Sequence, residues 1–379
     1  MMLYQLTKKP MPDWNSAKTK RQKQRAAGLH PDYWYPALWS HELKKGEVKE
    51  VVFWKQSFAV FRGDDGQVRV LENRCAHRQL KLSLGNVEGC KLTCAYHGWT
   101  FDGTGKCTEI SHSLFGHKMP NVKIKSYPVM EKYGVIFFLP GNPAVAKTRE
   151  IPTIPEWDDA SGWGKISADF TWRAHHSIII DNTCDFTHAY LHRNKRPFTY
   201  AELLHLEAKG DKVDLEYATK VGDGRLQKMF VNKKTTNTSA MKLGYDYPYQ
   251  WSDTDGKIKH WCFVRPIDER NTRAFFLFYF SPDMMKVPGL PFAMPKRLVS
   301  AVMPIAKRIL VTPLLGEDGL AVEGEQEGYE NHWDQPVPDL NPVLHAFMAL
   351  TNRKWEEYLA SIGDAKPTTA TVDESISAE

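Results

Sequence analysis

Cys75-Ala76-His77-Arg78 and, after the sixteen residues from Arg78 to Thr93, Cys94-Ala95-Tyr96-His97-Gly98-Trp99 decide how this chain is read. Two cysteines and two histidines in this order suit a [2Fe–2S] cluster with thiolates on one iron and imidazoles on the other. Neutral imidazoles in place of two anionic thiolates reduce the negative charge and raise the reduction potential, so such a centre passes single electrons. A structural zinc site also takes Cys and His in sets of four, but its halves usually pair like with like, as C-x2-C and H-x3-5-H. Here each half holds one Cys and one His.

A second constellation runs from Asp181 to His192, D-N-T-C-D-F-T-H-A-Y-L-H. Asp181, Asp185, His188 and His192 are spaced four, three and four apart. On an α-helix they fall within an arc of roughly 60°, and His at i and i+4 can share a metal. Ile178, Ile179 and Ile180 before the stripe, and Phe186, Tyr190 and Leu191 beside it, argue that the helix is buried. The plain alternative is a solvated helix face that happens to hold two histidines.

With Arg78, Gly85 and the Gly98-Trp99 pair, the first motif resembles the Rieske proteins over roughly residues 33 to 150. Gln79, Leu80 and Tyr96 stand where respiratory Rieske proteins carry an extra cysteine pair, which places the likeness in the oxygenase branch. The second constellation is similar to the mononuclear-iron motif of the Rieske non-haem iron oxygenases, in the shorter form with three residues between the histidines. That resemblance implies a set of assignments. Cys75 and Cys94 hold one cluster iron, and His77 and His97 the other. His188, His192 and a downstream carboxylate hold Fe(II), leaving positions for O2 and substrate. In G-E-D-G-L-A-V-E-G-E-Q (316–326), Asp318 matches the carboxylate best, with Glu317 and Glu323 next. Asp185 is the link between the two metal sites, its carboxylate bonded to one His of each across a subunit boundary, in a ring that is most often a trimer. Asn182 is a residue near the iron, and Asp181 a helix support or part of the link. Cys90, Cys107, Cys184 and Cys262 carry no assigned role.

The expected fold is α+β. A basic extension (1–32) precedes an all-β cluster domain (33–150), whose two ligand loops are presented by hairpins. The proline-punctuated Ile151–Trp157 then leads into a catalytic helix-grip domain with an antiparallel sheet (151–363), and a disordered tail follows (364–379). A final helix runs from about Pro342 to Ile362. A length of 379 residues favours two domains, and 25% charged with 42% apolar residues is ordinary for a globular protein. Net charge +5 and a pI near 8.7 are too mild to argue for nucleic acid. The basic run Lys18–Arg25 is read as a solvated helix or a subunit contact.

No apolar leader is visible, and no run is read as long enough to span a bilayer. Pro295–Leu315 is read as a helix and loop covering the pocket or core, with an amphipathic membrane-surface helix as the alternative. Six cysteines, two of them committed to iron, fit a reducing compartment, and the expected location is the cytoplasm. No G-x-G-x-x-G is present. Electrons must then come from a separate ferredoxin with its reductase, or from a flavin–iron-sulfur reductase fed by NAD(P)H. The expected activity is oxygenation of a small, hydrophobic or aromatic substrate: mono- or cis-dihydroxylation, or oxidative demethylation. The rival readings are a Rieske electron carrier and an inactive relative.

Overall fold

The computed structural model describes residues 10–116, 118–193, 195, 198–221, 240–282 and 295–363. The tail read as disordered lies outside them. The cluster domain holds three small antiparallel sheets. The first pairs Tyr35–Trp39, Val135–Phe138 and Val129–Lys132. The second runs Val48–Phe53, Gln56–Arg62, Val68–Glu72 and Ser126–Tyr127. The third, Asn86–Glu88, Lys91–Thr93, Thr100–Phe101 and Cys107–Glu109, carries the second ligand loop.

A seven-stranded antiparallel sheet forms the second domain, in the order 164–172, 272–280, 258–266, 249–254, 241–246, 212–221, 198–209. Its long aromatic strands alternate between two faces, as a half-covered sheet requires. Phe275, Leu277 and Tyr279 pack with Trp34, Trp39 and Phe137 of the cluster domain. Phe276, Cys262 and Trp172 face the helices. The helix His176–Cys184 packs between that face and the C-terminal helix Pro342–Gly363, while Thr312–His332 packs beside it.

Two backbone positions with positive φ, Trp54 (45°) and Lys55 (69°), close the hairpin of the second sheet. Such turns follow the natural twist of paired strands. This one drives Trp54 across the domain boundary, edge-on to His175, His176 and Trp355 at 5.9, 6.0 and 5.7 Å between ring centroids. Ile151 and Ile154, read as linker, are buried in the same interdomain core as Trp39.

Residues 20–30, part of the basic extension whose Lys18–Arg25 run is read as a solvated helix or a subunit contact, are instead packed into this chain's own catalytic domain. Lys20–Ala26 is a helix with a Thr19–Gln22 capping box, and Gln22, Gln24, Arg25 and Ala26 are buried. Arg25 inserts its guanidinium against Asp181 at 3.0 Å, which offsets the cost of burying either charge alone.

The reading that no run is long enough to span a bilayer is also corrected. Leu298–His332 is one continuous helical run, long and apolar enough to do so by length and composition. A π-helical turn at Lys307–Val311 joins its two α-helical parts, so Pro304 and Pro313 do not break the run.

Candidate metal centres

The two cluster loops are built alike. In the first, Cys75 N–H donates to Leu80 O (2.8 Å) and Gln79 N–H to Cys75 O (2.9 Å). In the second, Cys94 N–H donates to Trp99 O (2.9 Å) and Gly98 N–H to Cys94 O (3.1 Å). The fifth residue of each loop has positive φ, 63° at Gln79 and 69° at Gly98. Each turn buries its cysteine and leaves its histidine half-buried at the tip. The imidazoles of His77 and His97 lie 4.6 Å apart, and Trp99 stacks on His77. Burial pushes the Cys75 thiol up to about 11, with Cys94 adding to the shift. The buried Cys75 thiol resists ionisation unless a cation takes its charge, and with Cys94 buried beside it and two imidazoles at the loop tips this donor set fits an iron–sulfur group.

The second site departs from the uniform helix expected. The helix ends at Cys184, and Asp185 is extended (φ −90°, ψ 98°). Its carboxylate accepts from Thr187 N–H (2.8 Å) and Thr187 Oγ (2.6 Å), diverting backbone that an α-helix would have used. His188 therefore sits on a short 3₁₀ turn, His188–Tyr190, and His192 on the turn after it. The two rings still meet, 5.3 Å apart.

Asp318 arrives from the helix Thr312–His332, which presses against the sheet at Gly319, where a Cβ would lie 2.6 Å from Trp172. Asp318 Oδ1 stands 3.3 Å from His192 Nε2 and 3.7 Å from His188 Nε2. The three ligand atoms fall within 4.8 Å of one another. That carboxylate oxygen is buried with no hydrogen-bond partner, a costly state unless a cation completes it. Two imidazoles and one carboxylate form the donor set of non-haem Fe(II).

Glu317, a runner-up for the ligand, takes another place. His192 donates from Nδ1 to Glu317 at 2.9 Å, and Lys195 pairs with the same carboxylate. Burial works against a charged His192, but Asp318 and Glu317 outweigh it and raise its pKa. Burial dominates at His188 and lowers its pKa. Glu323 is used elsewhere, accepting from Arg173 N–H. Asp181 turns toward Arg25 and Gln24, so its carboxylate anchors the N-terminal helix. Asn182 is half-buried on the last turn of its helix.

The sequence reading missed a polar group on the helix-facing side of the sheet. His260 bridges Gln250 (2.9 Å) and Ser252 within a rung that ends in Phe278. Burial pushes it down to about 4, so it is neutral at neutral pH. Its strand reads as an ordinary apolar alternation, and no local signal marks it.

The Rieske [2Fe–2S] domain model matches residues 33–128, and the vanillate O-demethylase oxygenase C-terminal domain model matches residues 172–361. This chain belongs to the Rieske non-haem iron oxygenases. The match of an oxygenase C-terminal domain decides against a carrier with a cluster alone.

A 4β-methylsterol monooxygenase of Methylococcus capsulatus is 41% identical to this Rieske oxygenase over 353 residues, 93% of this chain and 95% of its own. The oxygenase component of dicamba O-demethylase from Stenotrophomonas maltophilia is 31% identical over 51% of this chain and 53% of its own. Dicamba monooxygenase bound to 3,6-dichlorosalicylic acid has the same fold, with a TM-score of 0.68 at 19% identity over 89% of this chain and all of that one. NdmA of Pseudomonas putida with caffeine superposes with a TM-score of 0.64 at 20% identity, over 91% and 94% of the two chains.

Proposed function

We propose that this oxygenase is the terminal component of a multi-protein system and oxidises a methyl carbon of a polycyclic, sterol-like substrate. His188, His192 and Asp318 would hold a mononuclear Fe(II), and Cys75, Cys94, His77 and His97 the cluster. When bound, the cluster supplies single electrons and the Fe(II) supplies activation of O2.

The chain's own groups set the conditions. Glu317 holds a proton on His192 Nδ1 and so directs Nε2 toward the metal position. The aromatic face carrying Phe170, Trp172, Phe276 and Phe278 excludes water from an apolar substrate. His260, neutral and held by Gln250 and Ser252 through its two ring nitrogens, keeps that face uncharged. Asp185 would link the cluster of one subunit to the iron site of the next in a homotrimer, and Asn182 would lie near the iron. Electrons would reach the cluster from NAD(P)H through a separate ferredoxin and reductase.

The observation that carries the substrate class is the 41% identity with a methylsterol monooxygenase across nearly the whole of both chains. The test feeds the holoenzyme, with a ferredoxin and reductase, either 4-methylsterols or methoxylated aromatic acids and reads product mass. Sterol products carrying one added oxygen support the reading. Turnover confined to the aromatic acids overturns the substrate class and leaves the family intact.

A further inference from the structure

The helix that delivers Asp318 begins with a face that the protein leaves open. Within Leu298–His332 the most apolar stretch is long enough to cross a bilayer, yet most of it is left unburied. An inner stripe of Val299, Met303, Val311 and Leu315 is buried. Gly164 allows this close seat, since a Cβ there would lie 2.7 Å from Met303 and 2.8 Å from Val299. Outward stand Leu298, Ile305 and Ile309, 51, 58 and 36% exposed. Single exposed apolar residues need no explanation, but a run of them along one helix does.

Charge separates the candidate occupants. Between Asp283 and Glu317 the chain has no acidic residue and five basic ones: Lys286, Lys296, Arg297, Lys307 and Arg308. Lys307 and Arg308, between Ile305 and Ile309 in the sequence, are exposed. A second copy of this chain would bring the same positive charge against itself. An anionic lipid surface complements it, since Lys and Arg can reach the headgroups while their stems and the neighbouring Ile and Leu enter the acyl boundary. The helix cannot cross the bilayer, because its second half is committed to the fold. Asp318 faces His188 and His192, and Glu325 pairs with Arg25 at 2.8 Å.

We propose that the outer face of Leu298–Val311 docks on an anionic bilayer, lying in its surface. Ile309 is nine residues from Asp318, so the seat holds the metal position about 14 Å along the helix from the lipid contact. The inference stands whatever the substrate.

The test is co-sedimentation of the full-length holoenzyme with vesicles of phosphatidylcholine alone or mixed with phosphatidylglycerol. Binding is expected to the mixed vesicles and to weaken as salt rises. I305E/I309E should weaken it by roughly tenfold or more. K307Q/R308Q, which spares the apolar face, should remove most of the salt dependence. Cluster absorbance and Tm check the fold of both variants. Wild-type protein that stays in the supernatant with mixed vesicles overturns the proposal. So does a lipid-free I305E/I309E oxygenase that falls from oligomer to monomer in light scattering, because that face would then belong to another copy.

Discussion

His192 carries two bonds with different purposes. Nε2 looks toward Asp318, and Nδ1 donates to Glu317, which Lys195 in turn restrains. Partners of this kind fix the tautomer and orientation of a ligating imidazole, and their loss costs about 10–100-fold in metal affinity. E317A is therefore expected to weaken Fe(II) binding by that order, measured by titrating apo-protein, while E317Q, which keeps an acceptor, recovers most of it. An unchanged affinity in E317A would falsify the positioning role. Asp185 belongs to a different argument. D185N is expected to retain both metal centres, by iron content and EPR, and to lose nearly all coupled turnover. Normal turnover removes Asp185 from the link between sites.

The N-terminal helix and the helix His176–Cys184 form one buried polar unit. Arg25 reaches Asp181 and Ser177, and His175 Nε2 and His176 Nε2 both donate to the Ala27 carbonyl (3.0 and 2.8 Å). Removing one partner strands the other without water. R25M is expected to destabilise the catalytic domain by about 3–5 kcal/mol, read as a fall in Tm with the cluster absorbance retained.

The same unit responds to pH. Burial lowers His176 to about 4, so between its ordinary value of 6.5 and 4 the unfolded chain binds the proton that the folded chain refuses. This contribution is complete above pH 6.5 and fades as pH falls toward 4, up to about 3 kcal/mol. Burial raises Asp181 to about 6, despite Arg25, and that effect has the opposite sign: it weakens the fold as pH rises from 4 to 6. H176N should therefore show a smaller loss of Tm on acidification than the wild type. An equal loss in both would assign the acid sensitivity elsewhere.

At the level of the whole molecule, the two candidate metal centres sit in two domains locked by Trp54, by Trp39 Nε1–H donating to Asp169 (2.7 Å), and by Arg273 paired with Glu42 (2.8 Å). The centres should be separable by mutation. The wild type is expected to hold about three irons per chain, and H188A or D318A about two, with the cluster's EPR signal intact. Loss of the cluster signal in H188A would mean that the sites are not independent. Short-range patterns carried much of this architecture. The C-x-H and C-x2-H loops need only a few residues and one left-handed position each, so their chemistry shows in the letters. Ala274–Phe280 announces itself as an unbroken apolar, aromatic run, and the C-terminal helix by its period.

The uniform helix through His188 and His192 was a misreading of the same kind of pattern. Spacing alone could not show that the Asp185 carboxylate captures Thr187 and ends the helix. Likewise, Lys18–Arg25 has the composition of a solvated surface, and the burial of its Arg25 depends on Asp181, more than 150 residues away. The C-x-H and C-x2-H spacings and the apolar runs of the strands are local properties, carried by neighbouring residues. Which acid faces the histidines, where Arg25 finds its counter-charge, and which side of Leu298–Val311 is left uncovered are long-range contacts. They exist only once the sheet has brought distant segments together, and no stretch of the chain encodes them alone.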